Sequence, residues 1–515
     1  MNRDDSLRAI EDRATKWDVV VIGGGASGLG AAVDAASRGY RTLLIEQHDF
    51  AKGTSSRSTK LIHGGVRYLR QGNISLVRES LHERALLLRN APHLTRKQSF
   101  IVPAYGRWDR AFYGIGLKLY DALAGRFSLG PSKLISRAEA MNEIPTIESI
   151  GLRGGVQYFD GQFDDARLAI CLAQTLHRLG GTPANYMRAM RFVKQNGRIA
   201  GVIAQDAESG HEFEIAARVI INATGVFTDD VRRLDDVSSS RLVTASQGAH
   251  IVVERSFLPG ASALMVPKTE DGRVLFAIPW HGRVVIGTTD TPVTETPLEP
   301  RPFAQEIEFL LKHAARYLAK APTPADILST FAGLRPLVKA GANRKTARLS
   351  RDHTIIVSDS GLVTIAGGKW TTYRKMGEDA VDAAISAGQI EFRRSQTHHL
   401  KLDDSAISGP AWPTSAQNFV AGATKFGTTA LGDNVIVAAV HQEMARNVED
   451  VLARRTRTLF LDARAAVEAA PKVAALMARE LERDAAWESA QVESFTLLAQ
   501  GYVWDPSSTR GIAVD

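Results

Sequence analysis

Cys171 is the only cysteine in the chain. An intrachain disulfide and any multi-cysteine metal site are thereby excluded, which fits a reducing compartment. No apolar run approaches the ~18 residues of a membrane span, and the N-terminal MNRDDSLRAIEDRATKWD lacks a signal core. The expectation is a cytoplasmic protein, or one attached to a membrane from the cytoplasmic side. No cluster of lysines and arginines forms a basic arm, so nucleic acid is not an expected partner. The net charge of +7 and pI near 9.4 instead suit anionic ligands or an anionic membrane surface. There is no HExxH pattern, no calcium loop and no Ser-His-Asp order. Hydrolysis and metal catalysis are without support, and no metal site is expected. Internal repeats and low-complexity tracts are also missing.

What is present begins at Asp18. With 515 residues, 44% of them hydrophobic, the chain can build two or three domains with cores of their own. DVVVIGGGASGLGA, residues 18–31, reads as a short apolar strand followed by GxGxxG at Gly23, Gly25 and Gly28. An alanine-rich helix follows and stops at Gly39, and a second strand, YRTLLIE, closes on Glu46. This is the whole strand–turn–helix–strand–acid unit of dinucleotide binding rather than an isolated glycine pattern. The glycines permit the tight turn, Ala26 and Ser27 open the helix whose N-terminus receives the pyrophosphate, and Glu46 is placed for the ribose hydroxyls. RVIINATG at 218–225 is a second apolar strand running into Ala223, Thr224 and Gly225. Together with the first unit it favours FAD in a two-part Rossmann-type domain, and no second GxGxxG offers a nicotinamide site.

Two further stretches are more specific. TSSRSTKLIHGGVRYL, residues 54–69, crowds hydroxyls around an arginine and then sets a histidine before two glycines. GLVTIAGGKWTTYRKM, residues 361–376, is a strand, a Gly-Gly turn and a helix beginning near Thr371. The latter resembles FAD-dependent oxidoreductases related to D-amino-acid oxidase, in which such a helix N-terminus faces the flavin and favours its anionic reduced form. With the first stretch, and with QGAHIVV (247–253), VVIGTTD (284–290), GLRPL (333–337) and ARRTRTLFLDARAA (453–466), the chain resembles the FAD-dependent glycerol-3-phosphate dehydrogenases of the respiratory type.

The resemblance implies noncovalent FAD, sn-glycerol 3-phosphate as substrate and dihydroxyacetone phosphate as product. Hydride would pass from C2 to flavin N5, and electrons onward to a membrane quinone. Location would be the cytoplasmic face of the inner membrane, and a homodimer is a possible assembly. The cofactor set is then Gly23, Gly25, Ala26, Ser27, Gly28, Glu46, Thr54, Ser55, Ser56, Ser58, Leu61, His63, Gly64, Gly65, Ala223, Thr224, Gly225, Gly367, Gly368, Lys369 and Thr371. Ser55, Ser56 and Ser58 would offer hydroxyls to the pyrophosphate and ribityl chain. Gly64 and Gly65 would let the flavin ring lie against backbone beside His63. A phosphate monoester calls for several cationic donors; Arg67, Arg335, Arg351 and Lys369 are the candidates, with Tyr68 beside Arg67 as a further substrate-binding residue. His250 is the preferred base for the C2 hydroxyl, since a neutral histidine suits that task. The plainer alternative is a strand histidine bonded to a carbonyl. Arg335 would hold the developing alkoxide.

The fold class is α/β with an α+β substrate domain. The FAD-binding domain is expected in three parts, 16–98, 155–235 and 350–392. An antiparallel-sheet substrate domain occupies 99–154 and 236–349. A linker at 393–415 leads to a C-terminal α-helical domain, 416–515. In RWDRAFYGIGLKLYDALAGRF (107–127), Trp108, Phe112, Ile115, Leu119 and Leu123 share one helical face with basic margins. That face suits a membrane surface or a domain interface. Two other functions remain open: an FAD-dependent oxidase or dehydrogenase of another hydroxy or amino acid, and a flavoprotein scaffold.

Overall fold

The computed structural model describes residues 1–12, 15–69, 73–267, 269–270, 272–338, 353–402 and 432–505. Trp17–Ile22 lies at the centre of the first sheet, parallel to Thr42–Ile45 on one side and Glu212–Asn222 on the other. Thr182–Ala184 and Val363–Gly367 extend the parallel set, and His353–Val357 closes one edge antiparallel. The strand VVVI is buried on both faces, as a parallel sheet covered on both sides requires, so its sequence is continuously apolar rather than alternating. Helices Ala26–Ser37, Asp165–Arg178 and Tyr373–Gly388 pack over one face through Leu29, Leu168, Leu172, Met376 and Ala380. On the other, Val20, Leu43 and Ile220 meet the hairpin Met187–Gln195/Arg198–Asp206 and Ile10 of the N-terminal helix.

The second sheet has ten strands among the described residues. Val243–Glu254 pairs with Ile327–Val338 along one edge and with Arg283–Gly287 and Thr291–Val293 along the other. Its far end corrects the expected boundaries. Thr95–Pro103 and Gly155–Phe163 run antiparallel to each other over nine residue pairs, and Leu61–Ile62 joins the same sheet. The divisions at 98/99 and 154/155 therefore cut a continuous ladder: one falls inside a strand, and the other assigns Gly155–Phe163 to the wrong sheet. Nothing in RKQSFIVP interrupts strand pattern at that point, so the sequence offers no breaker to mark a domain edge.

In the C-terminal region, helices Asp433–Glu443, Thr458–Leu461, Ala463–Glu480 and Ala485–Gln500 surround a π-helical turn, Asp450–Arg455. This bundle does not stand apart. Its core residues Leu459, Phe460 and Val473 share one cluster with Val252, Trp280, Val285 and Phe331 of the second sheet. It is also tied to the first sheet by charge. Asp49, fully buried, accepts from Arg454 Nε at 2.5 Å and from Arg455 Nη2 at 2.9 Å. Burial by itself would raise the Asp49 carboxyl, but the two guanidiniums outweigh it and hold the group below the usual carboxylate range. Asp49→Asn leaves two buried arginines short of a counter-charge and should lower the unfolding free energy by about 3–5 kcal/mol. Urea unfolding followed by tryptophan fluorescence measures it, and wild-type stability in this variant would show the network to be dispensable.

Candidate active site

The two sheets enclose a cavity of about 670 Å3, within the size range of cofactor sites. Its lining starts with the turn after the first strand. Gly23 has φ +114°, and a Cβ there would stand 2.6 Å from the Ala223 carbonyl oxygen. A Cβ on Gly28 would stand 1.8 Å from the carbonyl oxygen of Gly23. Only glycine lets this turn close so tightly against the strand end at 223. The helix it opens has no acidic residue in its first turn and no side-chain cap from Gly25, so its first amides suit an anion. Ser55 Oγ accepts from Ala26 N at 2.9 Å, which sets a hydroxyl beside those amides. Glu46, on the cavity wall, is oriented by Gly24 N at 2.6 Å and His48 N at 2.9 Å. A dinucleotide pyrophosphate and ribose fit this cradle.

Of the expected cofactor residues, Gly23, Gly25, Ala26, Ser27, Glu46, Thr54, Ser55, Ser58, Leu61, His63, Gly65, Ala223, Thr224, Gly225, Gly367, Gly368, Lys369 and Thr371 line the cavity. Gly28 sits within the helix and acts through closeness alone. The late turn closes on the early loop: Trp370 Nε1 donates to the Ser55 carbonyl at 2.8 Å. Three expectations are corrected. Ser56 is buried away from the cavity, where its carbonyl accepts from Lys60 and Arg457. Ser58 lines the cavity, but its hydroxyl is committed to Asp165 Oδ2 at 2.7 Å. Gly64 does not face the cavity. A Cβ there would strike the Tyr120 hydroxyl at 2.3 Å and Leu81, so helix packing demands this glycine while Gly65, at φ +80°, faces the site.

His250 and Arg335 reach the same cavity from neighbouring strands. The register pairs His250 with Phe331, Gly248 with Gly333 and Ser246 with Arg335, so the two candidate residues fall on one face of the ladder. A Cβ at Gly248 would stand 2.3 Å from Arg335 Nη2; this glycine gives the guanidinium its place. Arg335 donates to Thr288 Oγ1 and to the Thr289 carbonyl, each at 3.0 Å, and pairs with Asp290 at 3.3 Å. The His250 ring stacks on Phe331 with centroids 4.6 Å apart, and its Nε2 is 3.0 Å from Thr59 Oγ1. Burial, then the positive charges of Lys60 and Arg335, push its pKa well below the usual histidine range. The imidazole is neutral at pH 7 and available as a proton acceptor. Lys369 Nζ donates to Ser80 Oγ at 3.2 Å. Arg67 and Tyr68 belong to the short helix Val66–Leu69, next to the lining residues Gly65 and Val66. Arg351 lies outside the described residues.

Sequence reasoning passed over Thr59, Asp165, Thr288 and Asp290. Thr59 stands inside the hydroxyl-rich stretch 54–69, so the signal was there. Its partner, His250, is 191 positions away.

A dinucleotide cradle opening onto a buried histidine and a guanidinium is the arrangement of an FAD-dependent oxidoreductase. The family described as "FAD dependent oxidoreductase" matches residues 18–374, and "C-terminal domain of alpha-glycerophosphate oxidase" matches 424–488. "Glycerol-3-phosphate dehydrogenase, mitochondrial" of Macaca fascicularis is 36% identical over 97% of this chain and 76% of its own length. The Arabidopsis thaliana protein "Glycerol-3-phosphate dehydrogenase SDP6, mitochondrial" is 38% identical over 91% and 83%. The solved structure of the glycerol-3-phosphate dehydrogenase from Bacillus halodurans complexed with FAD superimposes with a TM-score of 0.77, at 27% identity over 99% of both chains. The chain belongs to the FAD-dependent glycerol-3-phosphate dehydrogenases.

Gly28→Ala should give protein without bound flavin, because the added methyl must displace the turn or the helix. The visible absorbance of the purified variant measures this, and a full flavin spectrum would contradict the assigned role of the turn.

Proposed function

We propose that this chain oxidises sn-glycerol 3-phosphate to dihydroxyacetone phosphate and passes the electrons to a membrane quinone. The observation that carries the reading is the convergence of His250, Arg335 and the nucleotide cradle on one cavity. Bound FAD supplies the two-electron acceptor for the hydride leaving C2. The residues do the rest. His250 takes the proton of the C2 hydroxyl as hydride departs. Arg335, charged throughout the working pH range, stabilises the oxygen while it carries negative charge. Lys369, with Arg67, Tyr68 and Arg351, is assigned to the phosphate, which requires more cationic donors than the single carboxylate of an amino acid.

Anaerobic mixing with glycerol 3-phosphate should bleach the flavin absorbance, and no bleaching at saturating substrate would remove the reading. His250→Asn should retain FAD and slow the limiting bleaching rate by roughly 10²–10⁴-fold. A base works only when deprotonated, so the wild-type rate should fall only where pH drops through the depressed pKa of His250, well under the usual histidine value. The variant should lack that acidic limb. Limiting rates at saturating substrate exclude the titration of the free substrate's phosphate, and an unchanged limb would retire His250 as the base.

The membrane assignment rests on helix Asp109–Ala124. Gly114, Leu117, Tyr120 and Ala124 point into the protein, while Ile115 is 73% exposed and Phe112 60%. Trp108 extends the face from the residue before the helix, and Leu119 and Leu134 continue it. A contiguous apolar patch with Arg107, Lys118 and Arg126 at its margins suits insertion into an anionic lipid surface. Among the described residues no helix is long and apolar enough to cross a membrane. The double substitution Phe112→Glu and Ile115→Glu should abolish sedimentation with mixed phosphatidylcholine–phosphatidylglycerol vesicles and leave anaerobic flavin reduction unchanged. Undiminished sedimentation would move the contact to another surface.

A further inference from the structure

We infer that Thr59 relays the substrate proton to His250, its hydroxyl standing between the cavity and Nε2. The inference rests on the reading of His250 as base and adds the path by which the proton arrives.

Nε2 has one in-plane lone pair, and Thr59 Oγ1 occupies that direction at 3.0 Å. Nδ1 is sealed from the cavity on the side of the Gly248 carbonyl, short of a full hydrogen bond. The relay takes the tautomer with its proton at Nδ1, on the side of the Gly248 backbone, so that Thr59 donates to Nε2. Thr59 and His250 both line the cavity, so a substrate hydroxyl can approach Oγ1. The ring itself is fixed: Phe331 stacks on it with an interplanar angle of 10°, and a Cβ on Gly287 would stand 2.1 Å from its Cδ2.

Thr59 is equally held. Its neighbour Lys60 is fully buried, with the ammonium 2.7 Å from both Asp165 Oδ2 and the Ser56 carbonyl. The rings of Trp280, Phe331 and Phe460 enclose that ammonium at 5.2–5.3 Å. Asp165 is clamped in turn by Arg457 Nη2 at 2.7 Å. The backbone at 59–60 is thus anchored to the C-terminal region, and a β-branched side chain has few χ1 alternatives. Displacing Thr59 to give substrate direct access to Nε2 is the harder course; passing the proton through Oγ1 needs no movement of the backbone. The charged groups facing the imidazole are Lys60, from the segment of Thr59, and Arg335, from the neighbouring strand. Phe331 and Gly287 contribute none.

The substrate O–H bond breaks and its proton bonds to Thr59 Oγ1, while the original Thr59 proton bonds to Nε2. The electron pair left on the substrate oxygen forms the carbonyl as C2 loses hydride to the flavin. The product is a ketone with histidinium, and the threonine hydroxyl is regenerated.

Thr59→Val removes the hydroxyl at nearly constant volume, and Thr59→Ser restores it. Valine should slow anaerobic flavin reduction about 10²-fold, with serine within roughly tenfold of wild type. The wild-type rate in H2O/D2O mixtures should curve as two protons in flight require, and the curvature should vanish in the valine variant. Independently of turnover, 15N-histidine NMR of the FAD-loaded protein should show the His250 Nε2 resonance shifted by valine and returned by serine. Valine with wild-type rate and curvature would overturn the relay. So would serine no faster than valine, which would make the role one of packing. Should valine fail to bind FAD, the curvature in wild type and in Thr59→Ser decides, a straight line overturning the relay. His250→Asn separates the two ideas: fast reduction in that variant defeats the base, whereas slow reduction there with normal Thr59→Val defeats the relay alone.

Discussion

A buried ionic network joins the C-terminal region to the loop that forms the cofactor site, and the arrangement of the cavity depends on it. Asp49, Asp165 and Glu443 sit at its centres, each fully buried and each held by arginines distant in sequence: Arg454 and Arg455, Arg457, and Arg167. A buried pair like these is weak evidence of net stability, because desolvation offsets most of the attraction, but breaking one partner away is costly. Such a network penalises every arrangement except the one in which all partners meet. Loop 49–60 is therefore fixed from behind by a part of the chain some 400 positions later, and its other side faces the cavity.

That constraint explains how groups from both sheets meet at useful distances. The nucleotide cradle belongs to the first sheet and His250 to the second, and loop 49–60 connects them. Ser55 touches helix Ala26–Ser37 through Ala26 N, Thr54 bonds the Leu334 carbonyl, and Thr59 meets His250. Because the loop is held, the register of the strand pair 243–254/327–338 sets where His250 and Arg335 stand relative to the cradle. Burial first, and then positive charge at Lys60 and Arg335, keeps His250 neutral, so one arrangement serves both geometry and protonation.

The helix with the exposed apolar face also reaches inward. Tyr120 donates to Asp160 Oδ2 at 2.9 Å, and Arg84 holds the same carboxylate at 2.8 Å. Gly64 lies against the Tyr120 hydroxyl, next to the glycine that faces the cavity. The outer surface and the wall of the cavity are two sides of one packed layer, which is why a glycine chosen for helix packing reads in sequence like a glycine chosen for a flavin.

The sequence by itself determined what depends on neighbours along the chain. The turn at Gly23–Gly28, the acid at Glu46, the late Gly367–Gly368 turn and the outward face of helix Asp109–Ala124 are encoded by local sterics or by helical period. These features were legible because glycine, helix and strand patterns act over a few residues. Only the tertiary structure decided the direction of each hydroxyl in stretch 54–69, where Ser55 faces the helix N-terminus, Ser56 turns inward, Ser58 meets Asp165 and Thr59 meets His250. It also decided that Gly155–Phe163 joins the second sheet and that the C-terminal helices share its core. The physical reason is the same in each case: a hydroxyl, a strand edge or a buried charge can be satisfied by many partners. Which partner it finds is fixed by burial among elements tens to hundreds of positions apart.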